Sequence, residues 1–235
     1  NEHAGQILAA GHGIFAQGVF CLMGLMILVS SRWWHRTSSA DAPRGIGRLA
    51  TLAMVLTAIV FLQLVAGAAM RHYNAALAIP DLPLAYGKVL PPTSQAELAE
   101  VRQWRLDNTQ LSSHVTMAQL WVHFAHRVGA VIVGVIGTLV VLRVLRQYRG
   151  TSGLGRPAVI LAVLLAAQIT LGVLTVLLGR PKDVATFHVA VGALVLLTSF
   201  MIAAKSVRLR YLATSSSAAD RLAGNEGGLA FGTTA

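Results

Sequence analysis

The sequence predicts an all-α, polytopic membrane protein, and three observations predict it. Charged residues make up 12% of the chain, well below the ~25% of soluble domains. Hydrophobic residues make up 55% and the mean hydropathy is +0.64. Five apolar runs of about 20 residues, at 11–30, 49–69, 118–142, 157–178 and 185–204, are each long enough to cross the hydrocarbon core as a helix. The runs are continuous rather than alternating, which excludes a membrane β-barrel. The net charge of +10 does not point to nucleic acid. Its basic residues sit in short loops beside apolar spans, as membrane topology requires, so the expected partner is the lipid bilayer.

The first run opens on Gly11-His12-Gly13 and contains Cys21, the single cysteine. One cysteine allows no disulfide and no thiolate metal site within the chain. The chain begins at Asn1, so residues upstream are expected, and no signal peptide is visible. Residues 31–48 carry Arg32, Arg36, Arg44 and Arg48 against Asp41, a net +3, with Trp33 and Trp34 at the boundary. Arg143, Arg146, Arg149 and Arg156 give +4 after the third run, and Lys205, Arg208 and Arg210 follow the fifth. Loop 71–117 is neutral, with Arg71, Lys88, Arg102 and Arg105 balancing Asp81, Glu97, Glu100 and Asp107. The positive-inside rule then predicts an external N-terminus and a cytoplasmic C-terminus.

Three segments follow: 1–48, a first transmembrane helix and cytoplasmic loop; 49–212, a four-helix bundle with the external loop 71–117; and 213–235, a Ser-, Ala- and Gly-rich tail expected to be disordered. In the external loop, Ala78-Ile-Pro-Asp-Leu-Pro-Leu84 is Pro-stiffened, and Ser94-x-x-Glu97 is a capping box that opens a short helix to about Arg105. Leu98, Val101 and Trp104 share one face of it, expected to lie on the membrane surface.

The run at 118–142 contains Trp121-Val-His-Phe-Ala-His-Arg-Val-Gly-Ala130. His123 and His126 are three apart and share a helix face, and Arg127 follows. Ionisable groups inside a membrane helix are costly and mark a site by default. On the predicted topology His12 opens span one, His72 closes span two, His126 lies about two turns into span three and His188 lies near the start of span five, all towards the outer side. Imidazoles on facing helices at one depth can ligate haem iron axially, and His126 and His188 are the expected pair, with His12 a third candidate. Gly129 and Gly192 follow the pair at short range, and Ala66, Gly67, Ala68 and Ala69 allow close approach of a helix or a flat ligand. Arg71 and Arg127 fall where propionates would sit. The competing reading is that the histidines hydrogen-bond within the bundle. Zinc would want more ligands and second-shell carboxylates, yet the spans carry no Asp or Glu, which also argues against a proton pump or ion transporter. Gln63-x-x-x-Gly67 recurs as Gln168-x-x-x-Gly172, two spans on, a hint of repeated helices.

At these residues the sequence resembles the haem A synthase family. The matching pieces are Gln63-Leu-Val-Ala-Gly-Ala-Ala-Met-Arg-His72, Ala76-Leu-Ala-Ile-Pro-Asp-Leu-Pro-Leu84, His126-Arg127, Gln168-Ile-Thr-Leu-Gly-Val-Leu-Thr175 and Ala185-Thr-Phe-His188, in order over residues 49–204. The resemblance implies two related four-helix bundles, each able to hold a haem between paired histidines. The last four helices here would form one haem-binding bundle, and span one would resemble the last helix of a preceding one. It implies an oxidoreductase that converts haem O to haem A for cytochrome oxidase biogenesis, with haem b as cofactor, in the bacterial inner membrane. Haem O synthase, cytochrome oxidase assembly factors and an unidentified electron acceptor are the implied partners.

Two departures bear on this. The family's catalytic bundle carries a glutamate three residues before the His-Arg histidine, where this chain has His123, and the cysteine pair of many members' first external loop is absent from 71–117. The missing glutamate points to the cofactor-holding half, and the Pro-Asp-Leu-Pro loop to the substrate half. As a synthase, His126 and His188 would be axial ligands of the haem iron, Arg71, Arg127 and His72 cofactor-binding groups, and His123 and His126 the catalytic candidates. The alternatives are a b-type membrane cytochrome module that transfers electrons without synthesis, and an assembly protein without haem.

Overall fold

The computed structural model describes the backbone of residues 2–151 and 153–230 and the side chains of 11–151 and 153–217. It is all-helical among these residues. Seven α-helices run in the order α1 (Glu2–Val29), α2 (Arg32–Arg36), α3 (Ile46–His72), α4 (Gln95–Asn108), α5 (Met117–Gln147), α6 (Gly155–Leu177) and α7 (Lys182–Ala230), with a 3-10 turn at Ser39–Asp41. Five of them, α1, α3, α5, α6 and α7, are long and apolar enough to cross a membrane, at the positions the five apolar runs predict. The Ser-, Ala- and Gly-rich stretch expected to be disordered is carried on by α7 as far as Ala230. Extending a formed helix needs no new nucleus, so the membrane-spanning part of α7 seeds the stretch that follows.

Helices α3, α5, α6 and α7 close a ring in that order, each touching its two neighbours, and α1 packs outside against α3 and α7. Lipid gives apolar helix faces no reason to prefer one another over acyl chains, so association relies on close packing at small residues. A Cβ on Gly137 would stand 2.7 Å from Leu165 Cδ1, and one on Gly24 would collide with Leu197. These contacts bring α5 onto α6 and α1 onto α7.

The buried core fills one half of the ring. Leu49, Leu56, Val60, Val133, Val140, Val144, Leu161, Leu165, Leu196 and Ile202 belong to it. This half ends in the basic loops, where Lys205 Nζ donates to the Gly153 carbonyl at 2.9 Å and lies 4.8 Å from the Trp33 ring centroid. Arg208 stands over Trp34 at 5.0 Å. Gly153 takes φ +83 and touches the Trp33 indole so closely that no side chain would fit there.

At the opposite end, residues 73–116 build a second small core of Ala75, Ala78, Ile79, Ala85, Leu98, Val101, Val115 and Leu120. Helix α4 is capped as expected, with Ser94 Oγ accepting from Glu97 N at 3.2 Å and the Glu97 carboxylate accepting from Ser94 N and Thr93 N. Those backbone bonds, Thr93 first, hold the Glu97 carboxyl below its ordinary range. The face of α4 expected on the membrane surface is turned into this loop core instead. Its buried positions are Leu98, Val101 and Arg105, and Trp104 lies at the edge, 37% exposed. The loop folds back on itself and so offers α4 apolar partners nearer than the bilayer. Trp121 Nε1 donates to the Pro92 carbonyl at 3.1 Å and Gln119 Nε2 to the Tyr73 carbonyl at 2.8 Å, tying the loop to the first turns of α5.

Candidate functional site

Between the two cores few residues are fully buried. Every residue of α3 from Gln63 to Met70 is half-buried and none is buried. Helix α5 buries nothing between His123 and Val133, and α6 nothing after Leu165. In α7, burial begins at Gly192. Close-packed interiors bury most of their side chains, so this half of the bundle is packed less tightly than the core, and His126 and His188 lie in it, both half-buried.

Two equivalent devices hold these histidines. Gln63 of α3 reaches α5, where its Nε2 donates to the His126 carbonyl at 2.8 Å and lies 3.1 Å from His126 Nδ1. Gln168 of α6 reaches α7, with Nε2 3.4 Å from His188 Nε2. One turn beyond each glutamine a glycine lies against the imidazole: a Cβ on Gly67 would be 3.3 Å from His126 Cε1, and one on Gly172 would be 3.1 Å from His188 Cε1. One turn beyond each histidine a second glycine admits the glutamine. A side chain on Gly129 would run into Gln63, and a Cβ on Gly192 would stand 3.2 Å from Gln168 Nε2 and 3.0 Å from Leu64 Cδ2. The sequence echo of Gln-x-x-x-Gly is thus a repeated glutamine–histidine contact between neighbouring helices. The role of both glutamines escaped the sequence reading, although their spacing was its signal. Gly192, one turn beyond His188, lies against Leu64, the residue after Gln63, so the two devices sit at one level of the bundle.

A haem fits what these residues offer. Its iron takes two imidazole nitrogens, its faces need small residues, and its edges need space. The paired imidazoles, the four glycines and the loosely packed half of the bundle supply these. Gln168 Oε1 and His188 Nδ1 are buried without hydrogen-bond partners, a costly arrangement unless the site is completed by something more. No group of three or more His, Cys, Asp or Glu able to hold a metal ion occurs among the described residues.

His123 and Arg127 point elsewhere, into the loop. Arg127 Nη2 donates to the Ile79 carbonyl at 2.7 Å, Nη1 to the Asp81 and Leu84 carbonyls at 2.8 and 3.0 Å, and Nε to His123 Nε2 at 3.1 Å. His123 is buried, 2% exposed. Ile79 N lies 3.3 Å from its Nδ1, and the ring also bonds the Ala75 backbone. A neutral imidazole has one acceptor nitrogen, so the Arg127 and Ile79 N–H groups compete for it, and the charged, shorter Arg127 contact is the stronger. The side chain at this position therefore supports a guanidinium that grips the Pro-Asp-Leu-Pro segment.

Arg105, which the sequence showed only as one of four loop cations, is a second grip. It is 5% exposed and donates to the Ser112, Leu77 and Ala78 carbonyls and to Tyr86 Oη at 2.8–3.2 Å. Tyr86 in turn donates to the Ala78 carbonyl. Its backbone adopts φ +55, held there by Asp81, whose carboxylate accepts from Tyr86 N at 2.9 Å and Gly87 N at 3.0 Å. Burial, the largest influence, raises the Tyr86 hydroxyl above its ordinary range against the lowering effect of Arg105, so it stays a protonated donor. Arg71 is exposed at the end of α3. His72 packs edge-on against Tyr73, and its Nδ1 is buried without a hydrogen-bond partner. His12 is exposed on α1, and no side chain beside it would meet Gly11 or Gly13 within 4 Å. The structure thus brings His126 and His188 together, sets His123 and Arg127 in the loop clamp, and leaves His12 apart.

Fold and site together define a membrane-embedded helical bundle with two half-buried imidazoles, each held by a glutamine of the neighbouring helix. Residues 3–200 match the COX15-CtaA family of cytochrome oxidase assembly proteins, and the chain belongs to that family. It is 29% identical over 181 residues to the heme A synthase of Shewanella oneidensis, covering 77% of this chain and 53% of that protein. It is 29% identical over 200 residues to the heme A synthase of Nitrosospira multiformis, covering 85% and 51%. The heme A synthase of a Methylobacterium species is 32% identical over 190 residues, covering 81% and 48%. The chain spans about half the length of these relatives.

Proposed function

We propose that the chain is a haem-binding bundle of a haem A synthase-like oxidoreductase, serving conversion of haem O to haem A for cytochrome c oxidase biogenesis. The observation that carries this is the His126–His188 pair, set by matched glutamine and glycine contacts at the level where the buried core ends. His126 and His188 would hold the haem iron, and Gly67 and Gly172 leave the ring edges accessible. Haem, when bound, supplies the redox chemistry, and the protein supplies position and a low-polarity surrounding. Gln63 and Gln168 orient the imidazoles. Arg127, with four of its five N–H groups engaged, has one free for a propionate while it holds the loop over the site, and Arg71 and His72 lie at the same end. Haem b is the proposed resident cofactor, with haem O and haem A as substrate and product. Haem O synthase, oxidase assembly factors and an electron acceptor are the proposed partners. The proposed location is a bacterial inner membrane with the loop end outside, because the basic loops lie at the other end.

One observation favours a second reading, a b-type cytochrome module that transfers electrons. His123 stands where the synthase family's catalytic bundle has a glutamate, and its ring is taken up by Arg127 and the loop backbone, leaving no free acid or base beside the paired histidines. The reduced-minus-oxidised spectrum of the purified protein, with acid extraction and chromatography of its haem, tests both. Haem O or haem A alongside haem B supports a bundle that holds substrate or product, and haem B alone supports the cytochrome module or the cofactor-holding half of a synthase. No haem, after expression with haem supplied, refutes both.

A further inference from the structure

The basic end carries a site of a different kind. Lys205 and Arg208 lie over Trp33 and Trp34, and Arg32 and Arg36 line a cleft of about 320 Å³ that also contains Asp41. Arg149 and Arg156 differ. They line a second cleft, of about 470 Å³, between the end of α5 and the start of α6, together with Leu145, Gly155, Val159 and Ile160. Among the described residues neither arginine has a hydrogen bond, ion pair or ring contact to the protein, and no carboxylate lines the cleft. Below them the wall is apolar and open: Val159 and Ile160 are each 52% exposed on a helix long enough to span the bilayer.

We propose that this cleft binds one anionic phospholipid, with its phosphate on Arg149 and Arg156 and an acyl chain along Leu145, Val159 and Ile160. Each half of the cleft selects part of that ligand. Two unpartnered guanidiniums at a membrane boundary call for an anion, and arginine presents the planar fork that suits phosphate. The apolar wall is continuous with the lipid-facing surface, so a free phosphate would use only half of what the cleft offers. Basic pockets between membrane helices recognise anionic headgroups in this way. The Arg32 and Arg36 cleft lacks that selectivity, because Asp41 repels a phosphate from within it.

Native mass spectrometry of the whole chain in detergent, titrated with phosphatidylglycerol or phosphatidylcholine, tests the site. The wild-type chain should retain one phosphatidylglycerol and discriminate against phosphatidylcholine. Combined Arg149→Gln and Arg156→Gln should weaken phosphatidylglycerol retention about thirtyfold, as expected for two arginines at an anionic headgroup. Combined Arg32→Gln and Arg36→Gln should leave it unchanged. Ile160→Glu keeps both arginines but sets a carboxylate beside them, and should lose retention even if the glutamine pair folds poorly. Equal retention of the two lipids, wild-type retention in the Arg149/Arg156 pair or in Ile160→Glu, or an equal loss in the Arg32/Arg36 pair would each overturn the proposal.

Discussion

Replacing Arg127 with lysine separates the grip on the loop from the presence of a charge. The guanidinium makes four hydrogen bonds of 2.7–3.1 Å, to the Ile79, Asp81 and Leu84 carbonyls and to His123. Their acceptors diverge. Lysine carries three donors on one atom and cannot span that set, so at least two bonds are lost. A hydrogen bond to a charged group contributes about 1.5–3 kcal/mol, and the half-buried setting of Arg127 argues for the lower end. The loss is therefore about 3 kcal/mol, borne by the loop. At 1.4 kcal/mol per tenfold, exchange of the amides between residues 78 and 88 should accelerate by a little over a hundredfold. Hydrogen exchange followed by mass spectrometry, with helices α3 and α5 as internal reference, measures this directly. Acceleration below threefold in that segment would refute the clamp. So would equal acceleration in the helices, because the guanidinium would then be supporting the whole bundle. A haem affinity measurement on the same variant is independent: a retained cation would preserve a propionate contact while the loop loosens.

Further outcomes follow from the same geometry. His126→Ala and His188→Ala should each abolish the low-spin bis-imidazole haem spectrum while leaving helicity intact; a variant that keeps its spectrum removes that residue as an axial ligand. Gly172→Val should exclude haem more than it lowers the melting temperature, since even a Cβ would stand 3.1 Å from His188 Cε1; pigment content against thermal midpoint reads the difference. Arg105→Met leaves three carbonyls and Tyr86 Oη without their donor and should loosen the loop by roughly 3–5 kcal/mol as a broken buried network, seen as protease sensitivity between 75 and 115. The Glu97 carboxyl is held below its ordinary range by the Thr93 and Ser94 backbone, so its cap is fully present above the unfolded carboxyl range and is lost as pH falls through the lowered value. Acidification should therefore fray the start of α4 before the membrane helices respond, and circular dichroism of Glu97→Gln should lack that early step.

The sequence made part of the candidate site legible where local rules were enough. His126 and His188 were legible because an imidazole in an apolar span is rare and costly, and helical rise alone put both at one depth. The Gln-x-x-x-Gly repeat was visible, but its meaning was not, because a glutamine's partner lies on another helix and only the ring order α3–α5–α6–α7 supplies it. Arg105 was opaque for the opposite reason. A cation in a charge-balanced loop reads as solvated, and its burial depends on residues 7–28 positions away in sequence that give it carbonyls. Trp104 and Arg105 are neighbours on α4, and the apolar one was expected on the membrane surface; the loop core instead took the arginine, whose Nε and Nη1 found acceptors there.

What the sequence by itself determined is the medium and the thread: five spans, their ends, the cap of α4 and the depth of the histidines. Each follows from hydrophobic length, charge placement or a spacing within one helix. What only the tertiary structure decided is which polar groups meet. It paired each histidine with a glutamine from the preceding membrane helix, turned His123 and Arg127 to the loop, and set the glycines against the imidazoles. Transfer free energy sorts residues between water and lipid one at a time, whereas hydrogen bonds and close packing are properties of pairs, settled when the helices come together.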